Sequence, residues 1–127
     1  MTTILNVIER AYQGTLEEQD DQVLWLVHAL KNAGAEQAVL LRGPATAYAV
    51  ANQSVDPLRI GGVETGDPPA IDQDLKRLTE KGVAVWAVKE DAEERGIGTA
   101  DVLPEVQWVP RKGVAGLFQQ AGRVFAW

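Results

Sequence analysis

Glu90 and Asp91 stand directly behind an apolar run in VWAVKEDAEERGIG, residues 85–98. Two carboxylates at a strand-to-helix junction have the chemistry for general acid–base work. The same pair also suits a solvated first helical turn, where the helix dipole favours anions. Other reactive groups are few: the chain has no cysteine, one histidine (His28) and one serine (Ser54). A Ser-His-acid arrangement would need both, but Ser54 lacks the strained turn that exposes a nucleophile. The signatures GxxxxGK[ST] and GxGxxG are absent. With no thiolate and a single imidazole, only carboxylates remain for a metal, and no EF-hand spacing organises them. The acids Glu17, Glu18, Asp20 and Asp21 read as the start of a helix. No catalytic group, cofactor or metal site is expected.

Two hydrophobic periods alternate along the chain. Residues 4–8 form a first strand pattern, and residues 16–33 a helix whose inward stripe is Val23, Leu26, Val27 and Leu30. Trp25, His28 and Asn32 fall on its outward face. A strand at 38–41 leads into a small-residue helix from Gly43-Pro44 to about Asn52. Asp67 is the expected N-cap of the next helix, striped by Ile71, Leu75 and Leu78 and ended by Gly82. Then come a strand at 83–88, a short helix at 90–95, a strand at 106–109, a helix striped by Val114, Leu117, Phe118 and Ala121, and a strand at 124–127. Between them QSVDPLRIGGVETG, residues 53–66, shows no clear element, and so long a connection suggests a site or an interface.

Alternating strands and helices with two-sided apolar strands predict a three-layer flavodoxin-like α/β domain with a five-stranded, mainly parallel sheet. Ligands of such sheets bind beyond the carboxyl ends of the strands. The groups expected there are Arg10, Tyr12, Gln13, Gly14, Arg42, Gly43, Lys89, Glu90, Asp91, Arg111 and Lys112. Five of these are cations that, beside helix N-termini, would hold an anion.

The 127 residues suit one domain spanning 1–127, and 46% hydrophobic with 24% charged residues is ordinary globular composition. The net charge of −6 and scattered Lys and Arg argue against direct nucleic-acid binding. No apolar stretch is long enough to cross a bilayer. The first residues lack signal-peptide character, and absent cysteine agrees with a reducing compartment, so the expected location is cytoplasmic.

Three stretches together carry a resemblance. RAYQGTLEEQDDQVLWLVHALKNAG, VLLRGPATAYAVAN and LTEKGVAVWAVKEDAEERGI resemble, in order and spacing, the opening, second strand and third strand of the DsrE/DsrF/DsrH sulfur-relay family, with its YchN-like fold. The resemblance covers nearly the whole chain. Within it, AVKEDAEERGI and the closing FAW look most like the DsrH/TusB branch. That branch is usually shorter, whereas this chain keeps a fuller DsrE-like beginning and the long RIGGVETGDPP loop.

The family's carriers hold a reactive cysteine eight residues before the glycine of the RG ending, and here that position is Val88. Valine cannot form a persulfide. The resemblance therefore implies a cysteine-less, non-catalytic subunit. Its partners would be copies of itself in a trimer or hexamer, or cysteine-bearing DsrE/DsrF-like paralogues. Candidate interface residues are Trp25, Trp127, Ile60 and Val63, with Tyr12, Glu64, Glu90 and Arg95 lining shared clefts. The alternative is a small-molecule or anion-binding homo-oligomer using the strand-end cations.

Overall fold

The computed structural model describes residues 3–11, 22–53, 59–64 and 70–127. Tyr12, Gln13, Gly14, the acids at 17–21, Ser54 and Asp67 lie outside the described residues. Five strands form one sheet: β1 (Ile4–Ile8), β2 (Gln37–Leu41), β5 (Ala84–Val88), β6 (Gln107–Val109) and β7 (Arg123–Ala126). Their order is β6-β5-β2-β1-β7, and every pairing is parallel. Parallel pairing requires crossovers, and these place helices on both faces.

On one face α1 (Gln22–Asn32) and α2 (Ile71–Glu80) cover Ile8, Val39, Leu41, Val85 and Ala87. On the other, Val114, Leu117 and Ala121 of α4 (Val114–Gln120) and its end cover Leu5, Val7, Leu40, Val88 and Val109. The period-2 alternation along β1, β2 and β5 thus feeds two separate cores. The short α3 (Lys89–Glu94) follows β5 directly.

Four details differ from the sequence expectation. First, α1 buries Leu24 beside Val23 and Val27, while Leu26 is half-buried. The helix is rotated toward α2, and His28 therefore packs there rather than facing out. Its Nε2 lies 3.2 Å from the Asp74 carbonyl oxygen and its Nδ1 3.2 Å from Lys81 Nζ. Second, Gly43–Ala49 is a 3-10 helix, shorter than the helix read from the sequence. Gln53 Nε2 ends it by donating to the carbonyls of Ala47 and Val50 at 2.9 and 2.7 Å.

Third, part of the long connection is a hairpin, β3 (Arg59–Ile60) and β4 (Val63–Glu64). Gly61 and Gly62, at φ 58 and 80, supply the two left-handed residues of a type I′ turn. Fourth, Ala70 rather than Asp67 precedes the first turn of α2, and Phe118 of α4 is exposed. Val114, Leu117 and Ala121 lie half-buried against the sheet, and Phe118 stands at the exposed margin of that stripe.

Candidate functional site

Three strand ends are knitted together at the carboxyl edge of the sheet. Asp91, in the first turn of α3, reaches from the end of β5 to both neighbouring strands. Its Oδ2 accepts the Gly43 N–H at 2.8 Å, behind β2, and its Oδ1 accepts Arg111 Nη2 at 2.5 Å, behind β6. The same Nη2 donates to Glu94 Oε1 at 3.0 Å. Both oxygens of Glu90 receive the backbone N–H of Arg111, at 3.0 and 2.8 Å. Arg95 Nη1 donates to the Asp91 carbonyl at 3.0 Å and closes the turn from outside.

Burial pushes the Asp91 carboxyl up, but the Gly43 N–H and the Arg111 guanidinium outweigh it and hold the group below its ordinary range. Arg111 is correspondingly raised by its hydrogen bonds to Asp91 and Glu94. A carboxylate held ionised in this way is a weak proton acceptor at neutral pH. Asp91 and Glu90 both brace the neighbouring loops.

The cations around them are engaged too. Arg42 Nε pairs with Glu9 at 3.2 Å, and Lys89 Nζ approaches Glu93 at 4.0 Å. Arg10 and Lys112 are exposed. Val88 ends β5 with 1% of its surface exposed, packed among Leu5, Val7, Leu40 and Val109. Among the described residues, no group of three or more His, Cys, Asp or Glu is arranged to hold a metal ion. No described helix is long and apolar enough to cross a membrane.

Glu64 belongs to the hairpin, away from this network in the chain, and Ile60 and Val63 beside it are 65% and 70% exposed. Trp25 is 59% exposed on α1. A cavity of about 320 Å³ opens beside the network, lined by Val50, Asn52, Ile97 and Asp101 among others. Asn52 holds φ 63 there, with its N–H donated to buried Asp72 Oδ2 at 3.1 Å. That cavity and the Asp91 brace have no sequence motif; both arise from residues far apart in the chain that the fold brings together.

The chain superposes on the YchN protein of E. coli over 100% of both chains, with a TM-score of 0.74 and 23% identity. The fold is that of YchN. MTH1491, a protein of unknown function from Methanobacterium thermoautotrophicum, aligns over 98% of this chain and 96% of its own, with a TM-score of 0.63 and 17% identity. No protein-family model matches the chain, and no curated protein matches it.

Proposed function

We propose that this chain is a non-catalytic, cytoplasmic subunit of the DsrE/DsrH type that works by assembly in sulfur relay or sulfur oxidation. It would act as a homo-oligomer or beside cysteine-bearing DsrE/DsrF-like paralogues. The observation that carries the reading is the end of β5. Where the resemblance puts a sulfur carrier, Val88 is buried, and the adjacent carboxylates are committed to bracing neighbouring loops. The surface also presents large apolar side chains: Trp25, Ile60, Val63 and Trp127 are all exposed. A tryptophan at such a site is a common energetic anchor of an interface.

Affinity capture of the tagged chain from its native cells, followed by sedimentation of the purified protein, tests this. Recovery of thiol-bearing paralogues, or a defined homo-oligomer, supports it. A chain that stays monomeric at high concentration and captures no such paralogue defeats it. The anion-binding alternative is disfavoured because Arg42 and Arg111 already face carboxylates. Stabilisation by inorganic phosphate without assembly would restore it.

A further inference from the structure

The two edges of the sheet are protected very differently. β6 has three residues and lies between Pro104-Glu105 and Pro110-Arg111, which blunt it with prolines and charges. β7, at the other edge, reads Arg-Val-Phe-Ala and continues into Trp127. Val124, Phe125 and Trp127 are 39%, 40% and 41% exposed, and the Phe125 and Trp127 rings meet edge-on at 6.2 Å. No proline interrupts this edge and its one charged side chain is Arg123, at the start.

In a parallel ladder each residue directs both backbone groups to one side, and successive residues alternate. The N–H groups of Arg123 and Trp127 point inward, to the carbonyls of Thr3 and Val7 at 3.3 and 2.9 Å. Val124 and Ala126 therefore direct their N–H and C=O groups outward from the sheet, where no strand follows among the described residues.

We propose that β7 pairs antiparallel with β7 of a second copy of this chain across a two-fold axis at Phe125. The proposal rests on the assembly reading above and names its contact. This register is the one the edge itself selects. Val124 falls opposite Ala126 of the other copy as a hydrogen-bonded pair, so all four outward groups on each strand are satisfied. Phe125 meets its own counterpart as the closely spaced, non-hydrogen-bonded pair. Arg123 falls opposite the Trp127 indole, a cation–π match that places the edge's one charged side chain on its largest ring. Self-complementarity of this kind is what an isologous two-fold contact requires, which is why the occupant is a second copy rather than an unrelated strand.

A chain without cysteine makes the test direct. Phe125→Cys places two thiols about 4.5–5.5 Å apart between their Cβ atoms, close to disulfide reach. Val124→Cys places them on diagonal positions about 7–8 Å apart, beyond it. Mild oxidation should give a disulfide dimer for the first variant and monomer for the second. In sedimentation, wild type should show reversible dimerisation. Ala126→Pro removes one outward N–H and no bond to β1, and should weaken that equilibrium at least tenfold with the circular dichroism spectrum retained. If wild type assembles but Phe125→Cys stays monomeric and Ala126→Pro assembles normally, the β7 pairing is overturned and the assembly reading survives. If wild type is monomeric and Phe125→Cys fails to cross-link, the pairing falls, and the homo-oligomeric form of the assembly reading falls with it. Irreversible, polydisperse aggregation also overturns the pairing.

Discussion

The indole N–H of Trp127 donates to the side-chain oxygen of Asn6 at 3.3 Å, tying the end of the edge strand to the middle of β1. Asn6 is fully buried, and its Nδ2 donates to Gln37 Oε1 at 2.9 Å and to the Ala38 carbonyl at 3.2 Å. One side chain thus fixes β1 against both of its neighbours. Trp127→Phe keeps a large ring but leaves the Asn6 oxygen without this donor. We expect a loss of about 1 kcal/mol in chemical denaturation, since a buried acceptor left unpaired retains its desolvation cost. Unchanged stability would mean that solvent satisfies Asn6 equally well.

Position 88 yields a test of the carrier-free reading. The Val88 side chain is turned into the core beneath α4, whereas Lys89 is exposed. A thiol reagent should modify Val88→Cys slowly in the folded protein and rapidly after unfolding, while Lys89→Cys reacts at once. Fast reaction at position 88 would show an accessible strand end. Wild type, incubated with a cysteine desulfurase and labelled cysteine, should acquire no labelled sulfur.

Asp91 predicts a pH dependence with a definite sign. Its folded pKa lies below the ordinary 3.8, so its bracing is complete above that value and fades as pH falls through the folded one. The stability gap between wild type and Asp91→Asn should be level around neutral pH and shrink below about pH 4. A gap that widens with acid would contradict the assignment of Asp91 as an ionised brace. Denaturation midpoints across pH 2–7 supply the measurement.

Two glycines should respond to alanine in opposite directions. Gly96 ends α3 at φ 71 with open space where an added methyl would lie, so Gly96→Ala suffers only backbone strain. About 1 kcal/mol of stability should be lost. Gly116 lies inside α4, with no positive φ and nothing near an added methyl. Gly116→Ala should gain about 0.5–1 kcal/mol. Melting temperatures of the two variants decide both.

Trp25 separates folding from assembly. It is 59% exposed, and Trp25→Ala should change monomer stability by no more than about 0.5 kcal/mol. If Trp25 anchors an interface, the same change should weaken association by tenfold or more, about 1.4 kcal/mol. Sedimentation beside denaturation distinguishes the two effects; association unaltered by the substitution removes Trp25 from the interface.

Local pattern was enough to read the alternating strands and helices, the two-sided burial of residues 83–88 and the outward Trp25. These depend on spacing within one element, and a period of 2 or 3.6 is visible in the chain itself. The hairpin at Gly61-Gly62 was not read from the sequence, because strands of two residues are too short to show a period. The rest belongs to contacts between elements. Periodicity shows that α1 has a buried side but not which neighbour it meets, so Leu24 and His28 were placed only once α2 lay beside them. That Asp91 is a brace follows from Gly43 and Arg111, 48 and 20 residues away, arriving at one strand end. That β7 takes the outer place next to β1 rather than β6 turns FAW from a closing motif into an exposed surface. Strand order is set by which crossovers bury both faces of the sheet at once, and no single segment carries that information.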